Sequence, residues 1–320
     1  MTGPAFPPRE LVLICAGTGT VAALNFSAPD SATRRRAALL RAAVFLPSGQ
    51  NYLFDAAAAG RDGASLELGV GPAGRGHTLR VMAQAAARPG SAQIAAGEPL
   101  PRPRQPLGLD VSLEPVSAPV PLGRDAAPGS ATAWAGALTM SGTLAIGSLI
   151  YRLRGLGWSG WGPDAEAGVP SGTRVHAYFQ DGSGLLVTSG AGAESTAGPA
   201  GPMAGPTAGP AAVRMSGGQV RAVPVLQLAV RASAGGPARG LLCTLGGRSP
   251  ADMTGDIRDT GQHVEIIRRS GQEAGPGSWS YAPFVFVRSG VTGIGLVGHA
   301  PGARSQRSAV PAAAALPDPF

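Results

Sequence analysis

The residues best suited to chemistry in this 320-residue chain lie between positions 150 and 180. Trp158 and Trp161 stand three apart among glycines, just after Arg152 and Arg154. A flat indole offers an apolar face to a sugar ring or a cation. A guanidinium fork grips a carboxylate or sulfate through paired hydrogen bonds. His176 and Tyr178 alternate with Val175, Ala177 and Phe179, so they project from the outer side of a strand over Arg174–Gln180. Trp158, Trp161, Arg152, Arg154, Tyr178 and His176 therefore make a candidate surface for an acidic glycan. The competing reading puts both tryptophans in the core, because aromatic residues make up only 5% of the chain and large apolar side chains are scarce.

Other motifs lack the context their chemistry needs. Gly293-Ile294-Gly295-Leu296-Val297-Gly298 spells G-x-G-x-x-G, but a dinucleotide site needs a following helix, a second strand and an acid about 20 residues on. The chain ends at Phe320, too soon for that unit. Gly17-Thr18-Gly19-Thr20 follows an apolar run, yet Pro29 stops any helix after it. Gly157-Trp158-Ser159-Gly160-Trp161 lacks the closing glycine of a nucleophile elbow. His263-Val264-Glu265 opens a zinc-deaminase signature whose P-C-x-x-C partner is missing. Asp252, Asp256 and Asp259 cluster in a polar stretch, 250–261, read as a solvated loop. Asp252, Asp256 and His263 are the groups a β-fold hydrolase would use. The spacing of these carboxylates does not follow a calcium loop, and no metal or cofactor is expected. Cys15 and Cys243 sit in separate apolar runs and read as buried free thiols.

The elements that would position these residues are mostly strands. Short apolar or alternating runs recur with Gly- and Pro-containing turns between them, the pattern of an antiparallel sandwich or barrel. Leu11–Leu24 reads as a buried strand with a turn; it is too short to span a membrane, and Glu10 and the Gly-Thr insert disfavour a signal peptide. Arg174–Gln180, Asp181-Gly182-Ser183-Gly184 and Leu185–Thr188 form a hairpin signal. Tyr281–Arg288 is apolar on both faces and reads as a central or interface strand. One helix is expected over Arg34–Phe45, capped by Asp30 or Ser31 and ended by Pro47-Ser48-Gly49. The fold class is mainly β: antiparallel sandwich or barrel-like domains with one short N-terminal helix. The expected division is a domain over 1–100, a Pro-rich linker over 101–130, a second β domain over 131–300 and a Pro/Ala tail over 301–320. The Gly-Pro steps over 197–212 slip out of the strict three-residue register of collagen and read as an exposed loop.

Composition bounds the function. The formal charge is +7 and every basic side chain is arginine, but the only dense cluster is Arg34-Arg35-Arg36, which argues against nucleic acid. With 49 glycines and 30 prolines, an ordinary helical domain is excluded. Charged residues are 14%, so much of the surface is uncharged and small. Ordering each residue costs on the order of 1–2 kcal/mol of backbone entropy, and Ala- and Gly-rich strands bury little to offset it. The expectation is a chain whose core is completed by neighbours: a non-enzymatic subunit of a multi-chain particle, homo-oligomeric within a larger assembly. A phage-like virion or tail component (spike, fibre or decoration protein) is the type that fits, located in a virion or extracellular particle. A carbohydrate-binding module for surface polysaccharide is the second reading, and a β-fold hydrolase the third.

Overall fold

The computed structural model describes residues 10–27, 39–57, 64–70, 76–95, 103–122, 133–161, 172–189, 211–232, 238–246, 251–258, 262–267 and 278–300. The first part of the chain forms β1 (Glu10–Cys15), β2 (Thr20–Ser27), β3 (Leu39–Phe45), β4 (Gln50–Ala57), β5 (Ser65–Val70) and β6 (His77–Pro89). It continues through β7 (Ser91–Ala95), β8 (Arg104–Pro115), β9 (Val120–Leu122), β10 (Ala133–Ile146) and β11 (Leu149–Trp161). The rest supplies β12 (Gly172–Phe179), β13 (Gly184–Thr188), β14 (Ala211–Ser216), β15 (Gln219–Ala232) and β16 (Ala238–Leu245). Last come β17 (Ala251–Ile257), β18 (His263–Ile267), β19 (Ser278–Arg288) and β20 (Val291–Ala300).

These strands close into two antiparallel barrels of eight strands each. In the first, β1, β2, β3, β4, β6, β8, β10 and β11 follow one another in chain order, and β11 returns to pair with β1. β5 and β9 are added on β6 and β10. In the second, β12 to β17 run on to β19 and β20, and β20 returns to β12. β18 extends β19, and β7 crosses from the first half of the chain to pair with β18 in parallel. Closure removes the free edges that an open sheet would expose.

Alternation along each strand explains the core. In β1, Leu11, Leu13 and Cys15 point into the first barrel while Val12 and Ile14 point out. Leu24, Leu40, Phe54, Leu79, Val111 and Met140 join the inward set. The second barrel is filled by Val175, Ala177, Phe179, Leu185, Met253, Phe284 and Phe286. An eight-stranded barrel is just wide enough for its own side chains to fill, so modest residues suffice. A third apolar layer forms where the outer faces of the barrels meet: Val12, Ile14, Phe45, Leu53, Leu156 and Trp158 against Leu186, Val213, Met215, Tyr281 and Leu296. Small residues set the spacing of strands. A Cβ on Gly295 of β20 would lie 1.8 Å from the carbonyl oxygen of His176, so only glycine lets β20 and β12 approach there.

Several expectations change. Leu39–Phe45, the later part of the expected helix, is strand β3, paired with β2 and β4, and no helix occurs among the described residues. Alternate burial of Leu40, Ala42 and Val44 inside the barrel outweighs the local helical signal. Residues 104–115, expected in a linker, form β8 at the centre of the first barrel, between β6 and β10. Its prolines fall near its ends, at 106 and 115, where they interrupt little of the ladder. Apart from β7, the strands of the first barrel end at Trp161 and those of the second begin at Gly172. Residues 251–257, expected in a loop, form β17 between β16 and β19. The core is not deficient either: the described part of the chain supplies all three apolar layers from its own residues. The expected tail over 301–320 and residues 197–210 of the Gly-Pro loop lie outside the described residues.

Candidate functional site

The concentration of buried ionisable groups lies at the seam between the barrels. On the first barrel, strand register sets Glu10, Asn25, Arg41 and Asp55 side by side across β1 to β4. On the second, Arg174, Gly298 and Tyr281 form a row across β12, β20 and β19. The side-chain-free Gly298 leaves Arg174 and Tyr281 facing each other over the ladder. Glu10 is buried, and its Oε2 accepts a short hydrogen bond from Arg174 Nη1. The Tyr281 hydroxyl lies 3.2 Å from both Glu10 Oε1 and Asn25 Oδ1. One phenolic proton serves one acceptor, so with Glu10 accepting it, the Asn25 amide turned over would donate to the phenol. Arg41 adds two hydrogen bonds to Asp55, of 2.8 and 3.2 Å.

Each group responds to its surroundings. Burial alone would raise the Glu10 carboxyl, but Arg174, His176 and the hydrogen bonds hold it below its ordinary value. Burial and the Glu10 carboxylate push the Tyr281 phenol well above its ordinary value. Glu10 raises Arg174 against the opposing effect of burial. His176 is pushed down to about 4, chiefly by burial, and its Nδ1 has no hydrogen-bond partner. At neutral pH the site therefore holds a carboxylate, a guanidinium, a neutral imidazole and a protonated phenol. A hollow of about 10 Å³, walled by Ala23, Asn25, Arg41, Leu53, Val264 and Tyr281, lies between the two polar rows. That is room for about one water molecule.

A second polar joint pins the chain where it crosses between barrels. Gln262 Nε2 donates to Gln50 O and Asn51 Oδ1, both at 2.9 Å, and the buried Asn51 amide donates to Gly90 O. Gly90, at φ +62°, turns the chain from β6 into β7.

The structure divides the six residues singled out from sequence. Even-numbered residues of β11 all face outward, but the second barrel covers only its later half. Arg152 and Arg154 are exposed, whereas Trp158 is 0% exposed, with its Nε1 donating to Ala177 O at 3.4 Å. Gly184 admits it: a Cβ there would lie 2.9 Å from Trp158 Cζ2 and 2.5 Å from Leu156 Cδ2. His176 and Tyr178 do face outward from the second barrel, as alternation requires, and that outer face is the seam; His176 is buried and Tyr178 packs against the seam layer. Trp161 ends β11 beside Trp134, and its side chain lies outside the described residues. Sequence reasoning missed Glu10, Asn25, Arg174 and Tyr281. Glu10, a lone acid opening an apolar strand, and Arg174, beginning the hairpin that was recognised, were the available signals.

Asp256 is exposed and lies 3.5 Å from Arg231, while His263 is on β18. Cys15 and Cys243 are each buried in a different barrel interior, so no disulfide joins them.

No family model and no curated protein matches this chain. Solved structures do. A protein described as a candidate AttH from Nitrosomonas europaea superposes with a TM-score of 0.52 at 14% identity, covering 94% of this chain and 97% of the other. CghA aligns with a TM-score of 0.45 at 11% identity over 93% of each chain. CghA with Sch210972 gives 0.44 at 12% identity over 93% and 94%. The likeness to the Nitrosomonas protein is one of fold, running through nearly the whole of both chains.

Proposed function

We propose that this chain is a non-enzymatic subunit of a multi-chain assembly, a rigid two-barrel block that works through its outer faces. The observation that carries this reading is the filled interior. Among the described residues, side chains occupy both barrels, and the hollow beside the groups most like a catalytic set has room for about one water. Small-molecule sites are usually pockets of about 300–1,000 Å³. A sugar platform needs an indole face in solvent, and that of Trp158 is sealed.

Support for assembly comes from the outside of the first barrel. Register sets Met82, Gly108, Ala145 and Ile150 in one row across β6, β8, β10 and β11. Met82 is 51% exposed and Ile150 72%. Such a row on the barrel's outer face suits burial against another copy of the chain. Within this class, a virion or tail component of phage type is the finer reading; it rests on the composition alone.

Light scattering on the purified chain across a hundredfold concentration range tests the proposal. The expected mass is a multiple of 31.8 kDa, reduced by Ile150→Arg. A wild-type chain that stays monomeric throughout would overturn it.

A further inference from the structure

Three hairpin turns of the second barrel, between β12 and β13, β14 and β15, and β19 and β20, gather charge at one end of it. Alternation turns three arginines toward the inside there. Arg214 shares its face with Ala212, Arg221 with Val223 and Val225, and Arg288 with Phe284 and Phe286. Arg214 and Arg221 stand directly opposite each other on β14 and β15. Like charges so placed destabilise a strand pair.

Arg288 is 4% exposed, and its guanidinium carbon sits 4.3 Å from the centre of the Phe179 ring. Its Nη2 donates to Asp181 Oδ2 at 3.0 Å and to Ser183 Oγ at 2.7 Å. Asp181 Oδ1 accepts from the Ser183 amide and hydroxyl. Arg221 Nη2 donates to Gln219 Oε1. Two donors are left: Arg288 Nη1 and Arg214 Nε are buried and have no hydrogen-bond partner. Burial and the repulsion of Arg214 both lower the affinity of Arg288 for its proton, so the two guanidiniums feel each other.

Arg288 and Arg214 thus act on one carboxylate whose oxygens are already engaged, and Arg221 stands beside Arg214 with no carboxylate of its own among the contacts described. A buried donor without a partner is costly to keep from water, and two of them here belong to charged groups. We propose that this end of the second barrel binds a tetrahedral oxyanion, a phosphate or sulfate group, received by Arg288 Nη1 and Arg214 Nε with Arg221 on the solvent side. Arginines reaching in from three strands suit oxygens that diverge in space, where one planar carboxylate would engage a single fork. The exposed side chains of Arg221 and Asp181 put the rim of the site in solvent, while the two donors lie buried and meet an anion once a rim side chain shifts. Phe179, Phe284 and Phe286 fill the barrel beneath it, so only the charged group enters.

The test is titration calorimetry of the full chain with inorganic phosphate, against sodium chloride at matched ionic strength. The wild-type chain binds phosphate, and Arg221→Gln, at an exposed position that spares the fold, weakens the dissociation constant about tenfold, the loss of one charge-assisted hydrogen bond. Arg214→Gln, checked for native circular dichroism, weakens it at least as much. Phenyl phosphate sorts the source: binding equal to inorganic phosphate indicates the end group of a larger molecule, loss of binding a free anion, and either upholds the site. Wild-type heats that do not differ between phosphate and chloride overturn the proposal, as does phosphate binding unchanged in Arg221→Gln.

Discussion

At the scale of single residues, the seam buries one strongly acid-sensitive group, His176. The imidazole is buried beside Glu10 and Arg174, with Nδ1 unpartnered, and stays neutral until about pH 4. In the unfolded chain the same ring takes up a proton near 6.5. Between those values the unfolded state binds a proton that the folded state refuses. Stability therefore falls as pH falls through that window, by up to about 3 kcal/mol at its lower end. Glu10 behaves as a depressed carboxylate: its contribution is present above 4.5 and is lost as pH falls through its lower folded value. The two groups are thus separable by pH. His176→Gln is expected to flatten the stability profile between pH 6.5 and 4 and to leave the steeper loss below 4.5. Urea unfolding at half-unit steps of pH measures both. A wild-type slope retained in His176→Gln would show that another group controls this window.

At the scale of elements, contact between strands depends on where side chains are missing. Gly184 opens β13 opposite the β11 residues Leu156 and Trp158, and a methyl group there meets a rigid buried indole. Gly184→Ala is expected to cost about 1–3 kcal/mol in chemical denaturation. Gly17→Ala, in the β1–β2 turn with no atom within 4 Å of its added carbon, serves as the control and is expected to stay within about 0.5 kcal/mol. Equal effects would remove the packing argument. The same feature marks how far the sequence was legible. The hairpin over Arg174–Thr188, the β1–β2 hairpin and the strand over Tyr281–Arg288 could be read because alternation and turn chemistry are local. The direction of each alternate residue in Arg174–Gln180 was legible too. What covered the outward set was not, because the seam is built from β1, β2 and β11, more than a hundred residues away in some pairs. Glu10 and Tyr281 meet across such a separation, and no local pattern joins them. The helix expected near Arg34 shows the reverse limit: local helix formers yielded, over Leu39–Phe45, to pairing on both sides.

At the scale of the whole molecule, the two barrels carry the hydrophobic patterning of single-layer barrels on their inner faces and an additional apolar patch on their outer ones. That outer patch is why composition misleads about the core. A chain poor in bulky residues reuses them, so that β1 buries Leu11 and Leu13 in a barrel and Val12 and Ile14 in the seam. A strand covered on both sides gets twice the burial from each residue pair. The arrangement makes each barrel dependent on the other. Separation would uncover Val12, Ile14, Phe45 and Trp158 on one side and Leu186, Val213 and Leu296 on the other. It would also leave the Glu10–Arg174 pair divided, and breaking a buried ion pair costs about 3–5 kcal/mol; the partial exposure of Arg174 places this one toward the lower figure. The crossing of β7 onto β18 and the clamp of Gln262 on Asn51 tie the same halves again. The barrels are therefore expected to unfold together. Scanning calorimetry of the full chain should give one transition, with calorimetric and van't Hoff enthalpies in agreement. Glu10→Gln should lower the midpoint without splitting it, because one weakened contact leaves the apolar seam in place. Two resolved transitions in the wild-type chain would mean that the barrels stand independently and that the seam adds little to stability.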